Sequence, residues 1–469
     1  MSFEIEPIFD KHLHEIDAKI TLKHIAPDKS ISHRCVIFAL LSDGICYVSN
    51  LLESEDVLCS LEIAKSLGLL VTKKNGIYEL QYKNKHLRNQ KLELYCGNSG
   101  TTLRLYLGLL SALSYEMGAS FYLDGDASLR TRPNARVIAP LKEMGAQIRS
   151  EAKKTKKDGQ IGEDLELLPL LISPPKNELK AIDYKSSVSS AQLKSALLLA
   201  GLFAKGKTTI SEPFISRNHS ENLLAKMGAN ISIKDQINIE ISPLNDMRLK
   251  PFKIKVPNDP SSAFFIAVFC AVIPGICVTL ENVLLNKTRT FAYEVLAKMG
   301  AKVTFANISD LEGKIIGSPK ELDDNVCDIT IIGSRLRGII LSENIPWLID
   351  EIPALSIAFA LASGDSEVRN AKELRIKESD RIAAILHNLA LLGVQTSEFS
   401  DGFLVTGKDM IDSKNAVFQS FGDHRIAMSF ALICALFGGK VEGIDCVKTS
   451  FPNFFTLLDN LLGEIKAAL

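Results

Sequence analysis

The sequence predicts an α/β protein of six related units gathered into two globular halves of about three units each. Three observations carry that expectation. A helix-to-strand junction recurs as SLGLLV at Ser66, EMGAQI at Glu143, KMGANI at Lys226, KMGAKV at Lys298 and LLGVQT at Leu391, with a weaker LLGEI at Leu461. The junction glycines, Gly68, Gly145, Gly228, Gly300, Gly393 and Gly463, stand 70 to 93 residues apart, too far for solenoid repeats and suitable for small subdomains. Each is expected at a helix C-terminus in the left-handed conformation, immediately before a strand. Finally, 469 residues that are 46% hydrophobic give room and material for more than one core.

In chain order, the N-terminus MSFEIEPIFDKHLHEID is charged and has no apolar segment of secretory type, which points to a cytoplasmic protein. Residues 81–91, 151–163 and 172–180 are charged or Pro-containing and read as loops or hairpin tips. KKTKKDG at Lys153 lacks interleaved aromatics and reads as a solvated loop rather than a nucleic-acid patch. GLFAKGKT at 201–208 spells a phosphate-binding loop. Its order is reversed, because residues 190–204 read as a helix and 208–210 as the strand that follows. Residues 263–280 carry no charge over a span long enough for a membrane, but Pro274-Gly275 splits them into a helix and a strand. A hinge is expected near Val256-Pro257.

With 54 basic and 55 acidic residues the net charge is -1, so nothing draws the chain as a whole to nucleic acid or a membrane. Anion binding must be local. The nine cysteines form no C-x-x-C pair and read as reduced core thiols, and the eight histidines offer no metal-binding spacing.

Local anion sites are suggested by cations at helix starts. In the stretch 372–393, Ile382, Ile385, Leu386, Leu389 and Leu392 recur at helical spacing, and Ser379 reads as the cap. Arg381 then sits in a first turn, against the positive end of the helix dipole, which suggests an anionic ligand nearby. A solvated helix end with a surface ion pair fits the same letters. The pattern recurs with Lys29 and Arg34 around a helix capped by Ser30, with Arg104 after GNSGTT, with Lys194 in SSAQLKS, with Arg217 in SRNHSE and with Arg425 after Asp423. RTRPNAR adds Arg130, Arg132 and Arg136. Cations at the starts of so many apolar helices point to several phosphate or carboxylate groups, and a set of surface arginines is the bland alternative. In GNSGTTLR, Gly100 suits close approach of an anion to backbone NH groups, or relief of a tight turn.

Assembled, these residues resemble the EPSP synthase family of enolpyruvyl transferases over nearly the whole chain. The matching strings are DKSISHR, GNSGTTLR, GDASLRTRP, SSAQLKSALLLAGL, SRNHSE, DEIPALSIAFA, ELRIKESDRI, GDHRIAM and TSFPNF, in family order. The resemblance implies two domains of three βαβαββ-type units each, an inverse α/β-barrel-like fold with a cleft between them. Residues 1–27 and 256–469 would form one domain and 28–255 the inserted one. It implies small-molecule substrates, phosphoenolpyruvate and shikimate 3-phosphate, with no cofactor, metal, nucleic acid or membrane, in a monomer.

Carried over by motif, Lys29, Ser30, Arg34, Ser190, Gln192, Arg217, Asp350 and Lys377 correspond to shikimate 3-phosphate contacts. Lys29, Gly100, Arg132, Gln192, Arg381 and Arg425 correspond to phosphoenolpyruvate contacts. Asp350 and Glu378 correspond to the acid-base pair, with Lys29 assisting. The family reaction protonates the methylene carbon of phosphoenolpyruvate while the 5-hydroxyl of shikimate 3-phosphate attacks the adjacent carbon, and the tetrahedral intermediate then loses phosphate. Glyphosate, the family's inhibitor, occupies the phosphoenolpyruvate position but is longer. The chain has Ala191 where another branch carries a hydroxyl, and its Lys448 stands one residue earlier than the lysine some members aim at phosphoenolpyruvate. Two rivals remain: the sister enzyme acting on a UDP-amino sugar, whose usual loop cysteine has no counterpart in 124–136, and a non-catalytic module for phosphorylated ligands.

Overall fold

A computed structural model of the chain describes residues 1–83, 87–152, 166–244, 248–317 and 319–468. The KKTKKDG run lies outside the described residues. The chain divides into two compact units, Met1–Asp28 with Pro257–Leu469, and Lys29–Val256, called here the terminal and the inserted unit.

The inserted unit holds three four-stranded sheets of one design. In the clearest copy the order is strand Lys91–Tyr95, helix Gly100–Met117, strand Ser120–Asp124, helix Ala135–Glu143, and strands Gln147–Ser150 and Leu170–Ser173. The first two strands run parallel, the second pairs antiparallel with the fourth, and the fourth with the third. Asp183–Lys185 to Asn238–Ile241 repeats this order around helices Ala191–Gly201 and His219–Lys226. The remaining copy takes its first strand, Lys253–Lys255, from the far end of the unit and places it parallel to Ile45–Ser49. A parallel pair needs a long crossover and an antiparallel pair only a hairpin, which is why the two contiguous copies spend a helix on their first connection.

The terminal unit has two further four-stranded sheets and one of three strands, in which Lys440–Glu442 pairs parallel with Val417–Gln419 and antiparallel with Ser2–Glu4. The βαβαββ-type repeat is therefore the building block, as expected. Gly68, Gly145, Gly228, Gly300 and Gly393 all have positive φ and lead from helix to strand. Gly463 does not. It lies inside helix Phe454–Ala468, because the sixth repeat follows its second helix with no strand among the described residues.

The first helix of each repeat is its most buried element. All residues of Pro260–Ala271 and of Ile352–Ala360 are buried, and His424–Phe437 exposes only part of Arg425. These three pack on one another at the centre of the terminal unit, and Lys29–Ala39, Gly100–Met117 and Ala191–Gly201 fill the centre of the inserted one. A helix apolar on every side is stable only when surrounded. The close approach is visible at Gly108, where a Cβ would stand 2.1 Å from the Ala196 carbonyl oxygen. Most charged residues on these helices lie in the first two turns, where the candidates Lys29, Arg34 and Arg425 stand.

Residues 263–280 divide into helix Pro260–Ala271 and strand Cys277–Leu285, and among the described residues no helix is long and apolar enough to cross a membrane. The 201–208 stretch runs from the end of helix Ala191–Gly201 to strand Thr208–Ser211, the reverse of a phosphate-binding loop. Two caps differ from expectation. Ser30 is inside helix Lys29–Ala39, and Asp380, rather than Ser379, caps helix Arg381–Leu391 by accepting from Ala383 N at 3.1 Å. Asp380 lies one residue nearer the helix, which frees Ser379 to donate to Asp423 at 3.2 Å.

Candidate functional site

Two clusters of the expected residues form, one in each unit. In the inserted unit, Lys29 opens its helix and its Nζ pairs with Asp56 Oδ2, contributed by helix Glu55–Ser66. Arg34, one turn further on, is 3% exposed. Its Nε donates to Ser220 Oγ at 2.8 Å, Nη2 to Ser195 Oγ at 3.1 Å and Nη1 to the Ser30 carbonyl at 3.0 Å. Ser195 and Ser220 are themselves 2.6 Å apart, so Arg34 is tied to helix Ala191–Gly201 and to helix His219–Lys226 at once. Ser190 caps the former, accepting from Leu193 N at 3.4 Å, and half-buried Arg217 stands just before the latter. Ser30, Arg34 and Ser190 thus lie in one neighbourhood built on these hydrogen bonds, with Arg217 at its edge just before helix His219–Lys226.

Gln192 links that neighbourhood to the start of helix Gly100–Met117, donating to Thr101 Oγ1 at 3.1 Å and accepting from Arg104 Nη1. Ser99 caps this helix through Thr102 N at 3.1 Å. Arg132 is 8% exposed, and its Nη2 donates to Asn98 Oδ1 at 2.6 Å and Ser128 Oγ at 3.2 Å. A Cβ built on Gly100 would stand 3.3 Å from Arg104 Nη1 and 3.6 Å from Arg132 Nη1. Two guanidinium groups therefore converge over the first residue of a helix, where unpaired backbone NH groups also favour an anion. Gly100 is not among the positive-φ glycines, so the tight-turn reading of this residue is set aside.

In the terminal unit the centre is Arg381, which is 1% exposed. Its Nε meets Asp423 Oδ2 at 2.8 Å, Nη2 meets Glu378 Oε2 at 2.7 Å and Nη1 meets Asp350 Oδ1 at 3.2 Å. Burial works against the charge, but Asp423, Glu378 and Asp350 outweigh it and push the guanidinium pKa up. The protein itself therefore supplies anions beside Arg381. Asp350 also receives Arg425, whose Nη1 donates to its carbonyl at 2.6 Å and whose Nε lies 3.8 Å from its carboxylate. Lys377 pairs with Glu373 at 3.1 Å.

Other sequence candidates fall outside these arrangements. Lys194 is not presented to a ligand, since its buried ammonium lies between Glu212 and Glu221. Arg130 pairs with Asp124, and Lys448 is 55% exposed beside Asp445. Sequence reasoning missed Asp56, Ser195, Ser220 and Glu212, and read Asn98 only as part of the loop before helix Gly100–Met117. The hydroxyl of Ser195, on a largely apolar helical stretch, was the available signal, whereas Ser220 sits among the polar residues His219, Glu221 and Asn222. Among the described residues no group of three or more His, Cys, Asp and Glu is placed to hold a metal ion.

Two carboxylates fastened to one guanidinium, beside a second arginine, can exchange protons with a bound molecule; arginines gathered at helix starts can hold phosphate or carboxylate. Comparison with known proteins agrees with that chemistry. Residues 14–458 match the profile described as EPSP synthase (3-phosphoshikimate 1-carboxyvinyltransferase). A 3-phosphoshikimate 1-carboxyvinyltransferase of a Nitratiruptor species is 44% identical over 447 residues, 95% of this chain and 96% of that protein. One from Helicobacter hepaticus is 44% identical over 443 residues, 93% of this chain and 94% of the relative. A solved structure of EPSP synthase from Acinetobacter baumannii superposes with a TM-score of 0.78 at 34% identity, covering 98% of both chains.

Proposed function

The chain belongs to the EPSP synthase family and transfers the enolpyruvyl group of phosphoenolpyruvate to shikimate 3-phosphate in aromatic biosynthesis, and we propose that its two clusters divide the chemistry of that reaction. The observation that carries the division is the attachment of Asp350 and Glu378 to the two ends of the Arg381 guanidinium.

In this reading Glu378 delivers a proton to the methylene carbon of phosphoenolpyruvate, and Asp350 takes the proton of the 5-hydroxyl as that oxygen forms its bond to the adjacent carbon. Lys29 assists proton transfer. The tetrahedral intermediate expels phosphate, and Glu378 recovers its proton from the methyl carbon as the double bond re-forms. Arg381 keeps both carboxylates in place, and it and Arg425 carry positive charge towards phosphoenolpyruvate. Gly100 and Arg132 hold the same substrate in the inserted unit, with Lys29 and Gln192. Ser30, Arg34, Ser190, Gln192 and Arg217 take shikimate 3-phosphate, together with Lys29, Lys377 and Asp350. Four anionic groups, a phosphate and a carboxylate on each substrate, account for this density of cations.

The test is phosphate release. The chain should release phosphate from phosphoenolpyruvate when shikimate 3-phosphate is added, and should not do so with a UDP-amino sugar. Turnover with the sugar alone would assign the chain to the sister reaction, and binding of both substrates without phosphate release would leave it a non-catalytic module.

A further inference from the structure

Beneath the start of helix Ala191–Gly201 lies a charged cluster that none of the roles above uses. Lys194 Nζ is 2.8 Å from Glu212 Oε2 and 2.7 Å from Glu221 Oε1, and all three side chains are at most 2% exposed. Burial alone would lower the lysine pKa, but the two glutamates raise it. A buried cluster of this kind is a weak source of stability, because well-packed apolar side chains do as well or better. What distinguishes it is what Glu212 touches. Its Oε1 accepts from Ser190 N at 3.0 Å, and its Oε2 accepts from Ser216 Oγ at 2.8 Å and Ser216 N at 3.4 Å. Lys194 Nζ also donates to the Ser216 carbonyl at 3.4 Å.

One carboxylate therefore joins the cap of one helix to the residue before Arg217. The sequence neighbours of the other two members complete the pattern. Ser195 follows Lys194 and Ser220 precedes Glu221, and these are the two hydroxyls that receive Arg34. Three separate segments, each supplying a group that meets shikimate 3-phosphate in the reading above, are anchored on a single buried charge cluster.

We propose that Glu212, held against the buried ammonium of Lys194, is a positioning residue for the shikimate 3-phosphate site and sets the separation of Ser190 from Arg217. The proposal rests on the assignment of that ligand made above. Groups locked by partners behind them bind with less ordering cost, so loosening the anchor weakens binding without removing a contact. Glu212→Gln keeps the shape but turns one acceptor oxygen into an NH2 that faces donors. Glu212→Asp keeps the charge beside Lys194 but withdraws the carboxylate by a methylene. Glu221→Gln removes a negative charge beside the same ammonium and touches neither Ser190 nor Ser216.

The full chain and these variants would be titrated calorimetrically with shikimate 3-phosphate, and kcat measured at saturation. Both Glu212 variants should raise the Kd for shikimate 3-phosphate by about tenfold, with kcat and the KM for phosphoenolpyruvate within about twofold of wild type. Glu221→Gln should leave the Kd within about twofold, whatever its melting temperature. Glu212 variants that bind like wild type, or an equal loss in Glu221→Gln, would overturn the proposal and leave the cluster as packing. Wild-type protein that takes up no shikimate 3-phosphate would instead overturn the ligand assignment.

Discussion

Asp423→Asn tests whether Arg381 is held by the protein. Asp423 is fully buried. One oxygen accepts from Arg425 N at 2.9 Å, capping helix His424–Phe437, and at 3.4 Å from Arg381 Nη2; the other accepts from Arg381 Nε at 2.8 Å and Ser379 Oγ at 3.2 Å. Asparagine can keep the cap through its carbonyl. Its NH2 then faces two donors, so the substitution isolates the ion pair from the helix start. Breaking a buried pair from one side typically costs about 3–5 kcal/mol. Here Glu378 and Asp350 still hold Arg381, which brings the expectation to about 2–3 kcal/mol. For a unit of this size that lowers Tm by about 5–10 °C. The loss should be nearly independent of added salt, because ions do not reach a pair this buried. Released on one side, Arg381 follows its other partners and displaces them, so kcat should fall by about tenfold or more. Thermal melts at two salt concentrations and steady-state phosphate release supply the readouts. A double-mutant cycle with Arg381→Gln should give a coupling energy of at least about 1.5 kcal/mol. A variant that melts and turns over like wild type, or a coupling near zero, would refute the argument that Asp423 pins Arg381.

Glu378→Gln keeps the hydrogen-bonding shape but cannot carry a proton to carbon, so turnover should fall by about two orders of magnitude or more while shikimate 3-phosphate still binds calorimetrically. Gly100→Ala adds a methyl group 3.3 Å from Arg104 Nη1 and 3.6 Å from Arg132 Nη1 without backbone strain. It should therefore preserve Tm, leave shikimate 3-phosphate affinity nearly unchanged, and weaken glyphosate more than phosphoenolpyruvate, as inhibition and KM measurements would show. Burial, aided by the charges of Lys29 and Arg34, holds the His33 pKa well below 6.5. The unfolded chain then binds the extra proton first, so stability should fall by up to about 1.4 kcal/mol per unit as pH drops below about 6.5. His33→Gln should flatten that part of the Tm-against-pH curve.

The repeat was legible because the feature that marks it is local. A glycine with positive φ between a helix and a strand needs nothing from the rest of the molecule, and five of the six junction glycines adopt it. Gly463 has the same neighbours in sequence but sits within a helix, where tertiary context prevails over the cap signal. The apolar helices with polar starts were equally legible, since only a wholly buried helix tolerates apolar residues on every side. The ends of elements were read less well, as at Ser30 and Ser379, because neighbouring polar residues compete for the cap and differ little in intrinsic preference.

Partner choice was not legible. Lys194 and Arg104 occupy the same place in sequence, in the first turn of an apolar helix, and only packing tells them apart. Arg104 meets the amide of Gln192, whereas Lys194 is closed in by glutamates 18 and 27 residues further along the chain. Arg381 and Arg289 follow the second course. Arg289, in the first turn of helix Lys287–Met299, is buried against Asp28 and Asp259 at 2.8 and 3.0 Å. In each case at least two of the carboxylates come from other segments, and the result is a clamp that joins segments at a helix start. The side chains of Lys194, Arg289 and Arg381 are 1% exposed, while that of Arg425 is 14% exposed. A positive charge in a first turn therefore marks a place where anions gather, the protein's own around Lys194 and Arg289 and, in the reading above, both the protein's and the substrate's around Arg381.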